Sequence, residues 1–226
     1  MISHVENCDC MDFMKGFPDK FFHLAIIDPP YGISQPAFRR TAVNKAAKVT
    51  DYNNAVYKQK APNKHYFDEL LRVSVNQIVW GGNYYNNVLA IGNKWIFWDK
   101  NTEDTQWGDG ELAWTSFKGA ITKFDFAWNG MIQGNMKNKE VRIHPTQKPA
   151  ALYNWLLMNY ANGGDNILDT HLGSGSSRIA AYKLGFDFWG CEIDKDYFEA
   201  QDKRFKEAIN EPLFQTQPER IQAKLL

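Results

Sequence analysis

Short candidate strands alternate with candidate helices along this chain, and this alternation restricts its fold more than any other feature. Such alternation is typical of a mostly parallel sheet that is covered by helices on both faces. The length of 226 residues fits one domain, and no internal repeat or low-complexity tract divides the chain. The sequence therefore predicts a single α/β domain over residues 1–226.

The candidate strands are short runs of β-branched or aromatic residues between Gly, Asn or Asp: His4–Cys8, His23–Ile27, Gln77–Trp80, Trp95–Trp98, Asn166–Asp169 and Phe186–Glu192, with a weaker one at Phe124–Trp128. The candidate helices carry apolar residues at helical spacing: Pro149–Ala161, Ser176–Leu184 and Asp196–Ile209. Gly185 is the expected C-terminal cap of the second helix.

Composition narrows the class of protein only loosely. No run of ~18 apolar residues could cross a membrane, and no signal-peptide pattern begins the chain, so we expect a cytoplasmic protein without a membrane partner. The three cysteines, Cys8, Cys10 and Cys191, fit a reducing compartment. Cys8 and Cys10 have no second Cys or His pair with ligand spacing beside them, so we expect no metal site.

The net charge of zero hides two charged segments. Gly32–Tyr66 carries seven lysines and arginines against Asp51 alone and lacks apolar periodicity, which predicts a long basic loop over residues 32–66. Asp187–Glu211 carries eight acids against four bases, a composition that an ordinary solvated helix face shares. The net charge by itself neither favours nor excludes a nucleic-acid partner.

Polar motifs follow three of the candidate strands. In sheets of this class, ligands bind outside the carboxyl ends of the strands, so the three motifs are expected to share one site. They are "IIDPPYGI" at residues 26–33, "ILDTHLGSGSS" at residues 167–177 and "FWGCEID" at residues 188–194.

The second and third motifs indicate a nucleoside-containing cofactor. Glycines between a strand and a helix let a ligand approach the backbone, and an acid at the end of the next strand, here Glu192, can accept both ribose hydroxyls. A phosphate-binding loop is disfavoured because no Gly-Lys-Ser/Thr follows. A dinucleotide site is disfavoured because Arg178 stands where a third glycine is usual.

The first motif suits methylation of an amino group on a nucleobase. Such an amine is a poor nucleophile because its lone pair is delocalised into the ring, and acceptors for its hydrogens make the nitrogen more tetrahedral. Asp28 can supply one acceptor and the main-chain carbonyl of Pro29 the other, while Pro29 and Pro30 fix their geometry in advance. Tyr31 offers a flat surface for a flipped-out base, worth about 1–3 kcal/mol.

These motifs together resemble those of the amino-methylating DNA methyltransferases, which use S-adenosylmethionine and carry D/N/S-P-P-Y/F/W and F-x-G-x-G motifs. The catalytic motif comes first here, which is the permuted order of the beta group. The segment "RIHPTQKPAALYNWLL", residues 142–157, resembles the one that lines the methionine end of the cofactor in that group. The resemblance implies a Rossmann-like methyltransferase fold with circularly permuted motif order, and double-stranded DNA as partner. One departure is Leu172, where the family has phenylalanine.

The resemblance also implies residue roles. Asp28, Pro29, Pro30 and Tyr31 are expected to be catalytic. Because the permuted order makes a further strand open the chain, "VENCDCMDF" is expected to place Asp9 or Cys10 at a strand end, and we assign Asp9 to the adenine amine of the cofactor. The residues expected to contact S-adenosylmethionine are Asp9, Cys10, Asp28, His144, Thr146, Lys148, Asp169, Leu172, Gly173, Ser174, Gly175, Ser176, Glu192 and Ile193.

The expected product is N6-methyladenine in DNA, because Asp as first motif residue is typical of adenine methylases in the family. N4-methylation of cytosine is the alternative, whereas methylation at cytosine carbon 5 is disfavoured because none of the cysteines follows a proline. An RNA or protein-amide methyltransferase typically has Asn first and the unpermuted order. A regulator that had lost catalysis would not be expected to keep Asp28, Tyr31, Gly173, Gly175 and Glu192 together.

Target recognition is predicted between the catalytic motif and the glycines, in a small region at residues 101–140. Its aromatic-rich stretches at residues 104–117 and 123–139 would equally suit edge strands of the core. So little recognition surface favours a short target, or a homodimer that shares recognition. The lack of a cleavage motif favours a stand-alone or phage-type methylase over a fused restriction enzyme.

The basic loop is expected to contact DNA phosphates through Arg39, Arg40, Lys45 and Lys48. Neutralising all four should weaken DNA binding on every sequence, because phosphate contacts do not read the bases. Each lost contact should also flatten the log–log salt dependence of binding by about one unit of slope. Binding isotherms at several salt concentrations measure that slope, and an unchanged slope in the quadruple variant would mean that the loop is an ordinary solvated surface.

Overall fold

A computed structural model describes residues 1–32, 60–90, 94–102, 108–129 and 132–210. The strands are β1 (Ser3–Glu6), β2 (Phe22–Ile27), β3 (Ser74–Trp80), β4 (Trp95–Asp99), β5 (Gly110–Thr115), β6 (Thr122–Asp125), β7 (Trp128–Asn129), β8 (Ile132–Gln133), β9 (Asn166–Asp169) and β10 (Asp187–Cys191). The α-helices are α1 (Cys10–Lys15), α2 (Lys64–Val73), α3 (Ala150–Tyr160), α4 (Ser176–Leu184) and α5 (Lys195–Asn210), and a 3-10 turn spans Gly82–Tyr84.

Eight of these strands form one mixed sheet in the order β1-β10-β9-β2-β3-β5-β4-β6. Strands β1, β10, β9, β2 and β3 run parallel to one another, and β5 pairs antiparallel with both β3 and β4. Strand β6 is parallel to β4, and β7 and β8 form a separate small hairpin. The predicted mixed, mostly parallel α/β sheet is confirmed.

The sheet is buried on both faces because its central strands are apolar at successive positions. In β2, Leu24 and Ile26 belong to one core, while Ala25 and Ile27 belong to the other, as the two-residue period of a strand requires. Helices α3 and α4 cover the first face through residues such as Leu156. Helices α1 and α2 cover the second face. The predicted helices on both faces are therefore present.

The predicted elements are found, with ends that differ from the prediction by a few residues, and Gly185 caps α4 with a φ of 81°. Phe124–Trp128 is not one strand, because it divides between β6 and β7. Five of the described elements were not defined by the sequence patterns. These are the short helix α1, the helix α2, the 3-10 turn and the strands β5 and β8.

Two of the predicted regions contain regular secondary structure. The basic loop predicted over residues 32–66 ends earlier than expected, because α2 begins at Lys64. Asn63 caps this helix, and Lys64 forms an ion pair with Asp68 in its first turn. Arg39, Arg40, Lys45 and Lys48 lie outside the described residues. In the region at residues 101–140, β5 and β6 belong to the main sheet, which agrees with the alternative that these stretches are strands, and a recognition role for the region stays a prediction.

The described ranges contain no helix that is long and apolar enough to cross a membrane. The same ranges contain no group of three or more His, Cys, Asp or Glu side chains arranged to hold a metal ion.

Arg178, at the position of the third glycine, joins α4 to α5 and to β1. Its guanidinium donates to Asp202 and Gln201, its Nε donates to Ser3 Oγ at 3.0 Å, and its plane lies 3.7 Å from the Phe205 ring centre. Its side chain is 7% exposed. Substitution of Arg178 therefore removes a buried charge whose contacts connect α4 with α5 and β1.

We expect Arg178→Met to lower the free energy of unfolding by about 2–3 kcal/mol, because it removes charge-assisted hydrogen bonds in a buried setting. Lys206→Met is the matched control, since Lys206 pairs with the same Asp202 but is 68% exposed. Exposed pairs contribute about 0–1 kcal/mol. Urea unfolding of both variants measures the difference, and equal losses would contradict a structural role for Arg178.

Candidate active site

A cleft of about 610 Å³ opens at the carboxyl ends of β2 and β9. These neighbouring strands are parallel, but the helices that follow them lie on opposite faces of the sheet. The two connections therefore diverge and leave a crevice between them, which is where ligands bind in open α/β sheets. The turn after β2 and the glycine loop after β9 both line this cleft.

The Asp-Pro-Pro-Tyr turn is held from behind by a tyrosine that the sequence patterns did not identify. The buried Tyr85 hydroxyl lies 2.9 Å from the carbonyl oxygens of both Pro29 and Pro30. The prolines cannot donate backbone hydrogen bonds, so the turn is held through their carbonyls, to which the Tyr85 hydroxyl donates. A carbonyl has two lone pairs, so the Pro29 oxygen can accept a further hydrogen.

The Tyr31 ring is fixed by contacts on its face and on its edge. It stacks on the Tyr84 ring with centroids 4.9 Å apart and an interplanar angle of 18°. A Cβ at Gly81 would lie 2.2 Å from Tyr31 Cε1, and Gly81 has a φ of 66°, so only glycine fits beneath this ring. The ring orientation is thus set before any ligand arrives.

A buried ammonium group bridges two carboxylates in this cleft. Lys148 Nζ lies 2.7 Å from Asp28 Oδ2 and 2.8 Å from Glu111 Oε2. The second Glu111 oxygen accepts from Lys100. The Tyr31 hydroxyl donates to Asp28 Oδ1 at 2.9 Å and lies 3.3 Å from Glu111 Oε2. The side chain predicted to meet the cofactor, Lys148, is therefore paired with the catalytic motif.

Two opposing effects set the pKa values in this cluster: burial of the charged groups and their pairing with one another. Burial raises the pKa of Asp28, and Lys148 offsets this only in part. Burial opposes ionisation of Glu111 as well, but Lys148 and Lys100 outweigh it and lower the pKa of Glu111 to about 2. Burial would lower the pKa of Lys148, but the two carboxylates raise it, so this ammonium keeps its charge.

The glycine loop after β9 is built so that its backbone faces the cleft. Gly173 and Gly175 have φ values of 49° and 70°, and the second of these is the N-cap of α4. Leu172, which replaces the usual phenylalanine of the family, is buried against Gly190 in β10, where a Cβ would lie 2.8 Å from it. A leucine here thus fills the space beneath the loop.

The acid after β10 is oriented by the same loop. Glu192 Oε2 accepts from the Gly173 N–H at 2.9 Å and Oε1 accepts from the Asp194 N–H at 3.0 Å. Across the cleft, Asp9 is the N-cap of α1 and uses Oδ1 to accept from the Met11 N–H at 2.7 Å. Both carboxylates line the cleft, at the ends of two neighbouring strands.

The segment before α3 closes another side of the cleft. His144 is buried and lies 3.1 Å from the Thr146 hydroxyl through Nδ1, and its ring packs edge-on against Tyr197 with centroids 4.3 Å apart. Burial lowers the pKa of His144 to about 4, so the imidazole is neutral at pH 7. An ion pair between Arg204 and Glu140 fastens this segment to the glycine loop, since Arg204 also donates to the Ser174 carbonyl.

Most residues that the sequence predicted for the site line this one cleft, and three do not. The three that do not line it are Asp169, Gly175 and Ser176. Asp169 accepts from Ser177 Oγ and from the His171 N–H, and Ser176 Oγ donates to the Lys148 carbonyl. The predicted residues that line the cleft are Asp9, Cys10, Asp28, Pro29, Pro30, Tyr31, His144, Thr146, Lys148, Leu172, Gly173, Ser174, Glu192 and Ile193.

Glu111 is the site residue that sequence reasoning missed most clearly. It lies in β5, within the stretch that was predicted as recognition region or edge strand, and no motif surrounds it. Only the apolar residues Leu112, Ala113 and Trp114 that follow Glu111 indicated a strand, and nothing local indicated which strand end it would face.

Comparison with known proteins agrees with this geometry. The chain is 22% identical over 240 residues to the type II methyltransferase M2.MboI of Moraxella bovis, an alignment that covers 88% of this chain and 86% of the relative. The solved structure of the M1.HpyAVI–SAM complex superposes with a TM-score of 0.56 at 20% identity, covering 90% of this chain and all of that one. The cytosine-N4-specific PvuII DNA methyltransferase superposes with a TM-score of 0.54 at 13% identity, covering 91% of this chain and 90% of that one.

Both structures share the fold of this chain, and the fold is therefore that of the DNA methyltransferases. A family profile described as DNA methylase, of the N6/N4 type, matches residues 44–203, which is well over half of the chain. The match spans the strands and helices from α2 to α5 and includes Glu111, Lys148 and Glu192. The chain belongs to this family of DNA methylases.

Proposed function

We propose that this chain transfers a methyl group from S-adenosylmethionine to the exocyclic N6 of an adenine that is flipped out of double-stranded DNA. The observation that carries the proposal is the convergence of Asp28 and the Pro29 carbonyl, at the end of β2, with the glycine loop and Glu192 in one cleft. An amine acceptor and a nucleoside site must share one cleft for methyl transfer between them.

The residues of the cleft suit this cofactor. Glu192 keeps lone pairs beyond its two backbone hydrogen bonds and can accept ribose hydroxyls, and the open backbone at Gly173 allows close approach. Asp9 Oδ2 is not used in the capping bond and can accept from an adenine amine. When bound, S-adenosylmethionine supplies an electrophilic methyl group on a sulfonium, whose carbon–sulfur bond breaks as the new nitrogen–carbon bond forms.

The protein's part in the reaction is to prepare the target amine. Asp28 and the Pro29 carbonyl each accept one amine hydrogen, which directs the nitrogen lone pair towards the methyl group. Tyr31 holds the flipped base by stacking. The methylated amine is a strong acid, so its proton leaves through Asp28 or to water. Lys148 acts as a donor to Asp28 and not as a base, because its neighbours keep it charged.

N4-methylation of cytosine is the second candidate, because the PvuII enzyme of that specificity shares this fold. Labelled S-adenosylmethionine and unmethylated DNA, RNA or protein, followed by digestion of the products, test both candidates. Label in N6-methyladenine from DNA supports the proposal. Label in N4-methylcytosine, in RNA or in protein would each contradict it.

Asp28→Ala and Asp28→Asn should abolish nearly all turnover and leave the affinity for S-adenosylmethionine within a few-fold of the wild type. The reason is that Asp28 acts chiefly on the target amine, and its expected contact with the cofactor contributes little to cofactor affinity. Single-turnover rates and calorimetric titration measure the two effects. A variant that keeps more than a tenth of the wild-type rate would refute this role.

Glu192→Ala should raise the dissociation constant of S-adenosylmethionine about tenfold to a hundredfold, since a lost charged acceptor typically costs about 1.5–3 kcal/mol. Asp9→Asn should also raise it, because the amide replaces an acceptor by a donor facing the adenine amine.

Asparagine caps helices as well as aspartate does, so Asp9→Asn keeps the bond to the Met11 N–H and should leave unfolding unchanged. This variant separates the ligand contact from the cap, whereas Asp9→Ala loses both. Unchanged affinity in Asp9→Asn would remove Asp9 from the cofactor site.

A further inference from the structure

The Lys148 ammonium has two carboxylate partners at nearly equal distances. Its side chain is 4% exposed, and the two N···O distances are 2.7 Å to Asp28 and 2.8 Å to Glu111. Lys100 supplies a second cation to Glu111 from the other side. The cluster of Asp28, Glu111, Lys148 and Lys100 therefore has two charges of each sign, and its net charge is zero.

The Tyr31 hydroxyl is likewise close to both carboxylates, those of Asp28 and Glu111. It has one proton, and it lies 2.9 Å from Asp28 Oδ1 and 3.3 Å from Glu111 Oε2. Within the described residues, the two donors that reach Asp28 are thus also within reach of Glu111. A donor that is divided between two acceptors saturates neither of them.

An amine acceptor in this position has conflicting requirements. A buried carboxylate needs a cation to stay ionised, but a cation that pairs with it alone takes up its lone pairs and its charge. Glu111 meets both requirements, because it also accepts from Lys148 and lies within reach of the Tyr31 hydroxyl. Neither donor therefore pairs with Asp28 alone.

We propose that Glu111 is a positioning residue that keeps Asp28 available as an acceptor for the target amine, by holding Lys148 and Tyr31 between two carboxylates. Lys100 in turn limits how strongly Glu111 attracts Lys148. This role rests on the proposed function of Asp28, and it concerns residues that follow β2 and β4, lie in β5 or precede α3.

Several titratable groups besides Glu111 face Asp28, and each must be kept constant in the test. They are Tyr31 from its own turn, Lys148 ahead of α3, Tyr85 after the 3-10 turn, Tyr153 from α3 and Asp169 from β9. Neither Glu111→Gln nor Lys100→Met alters any of them, and glutamine has nearly the shape of glutamate.

The two variants should shift the pKa of Asp28 in opposite directions. Glu111→Gln removes a negative charge and leaves Lys148 to Asp28 alone, so the pKa of Asp28 should fall. Lys100→Met removes a positive charge and lets Glu111 attract Lys148 more strongly, so the pKa of Asp28 should rise. Carboxyl ¹³C NMR titration of the ligand-free full chain measures both shifts, with Asp28→Asn to assign the signal.

Asp125→Asn and Lys123→Met are the matched controls, because they make the same changes in net charge at side chains that are 57% and 53% exposed. Neither control should move the Asp28 signal. Opposite shifts in the two cluster variants support the proposal. An unmoved signal, or shifts of the same sign, would overturn it.

Methylation assays add a readout that a merely structural role would not move. In Glu111→Gln we expect kcat to fall about tenfold and the acid limb of the pH profile to move to lower pH, with calorimetric affinity for S-adenosylmethionine unchanged. A pH profile with the wild-type acid limb would overturn the role of Glu111. A wild-type protein that methylates no DNA would instead overturn the proposed function, and the NMR titration, which needs no substrate, keeps the two failures apart.

Discussion

The divergence of the chain after β2 and β9 is the constraint on which the site depends. The two strands are neighbours and parallel, yet α2 and α4 lie on opposite faces of the sheet, so the connections cannot close over the strand ends. The Asp28 turn and the Gly173 loop face each other for this reason. The permuted order does not disturb this arrangement, because β1, which opens the chain, pairs with β10 at the end of the sheet. Adjacency of strands, and not their order in the sequence, builds the cleft.

Electrostatics imposes the second constraint on the cleft. Removing four charged groups from water is unfavourable, and only mutual pairing at short range offsets it. The cluster around Lys148 meets that condition because its charges balance and because Tyr31 adds a hydrogen bond. Loss of one member leaves an uncompensated charge in a buried place. Asp28 is therefore coupled to Lys100, which follows β4, and to Glu111 in β5, and neither strand carries a recognisable motif.

The sequence predicted features that depend on neighbouring residues and missed those that depend on distant ones. Asp28-Pro-Pro-Tyr, the glycines before α4 and Glu192 follow apolar strands directly, so their positions at strand ends were visible in the pattern. Glu111 and Tyr85 contact the Asp28-Pro-Pro-Tyr motif only because of the order of strands in the sheet. That order was not predictable from local patterns. Strand β5 was hidden because its apolar residues suited a recognition surface equally well. Lys148 lines the cleft near which its segment was expected to lie, but its partners Asp28 and Glu111 were not predictable.

The proposed pair of acceptors, Asp28 and the Pro29 carbonyl, suits an amino group whichever ring carries it. Adenine N6 and cytosine N4 present the same two hydrogens and the same delocalised lone pair, so Asp28 and the Pro29 carbonyl suit both. This is the physical reason why a single fold can serve both chemistries, as the family to which this chain belongs illustrates. Discrimination between a purine and a pyrimidine must come from side chains that face the ring. Tyr31 stacks with either ring, so it cannot discriminate strongly. We expect that task to fall to the polar side chains at the start of α2, Asn63 and His65, which line the same cleft.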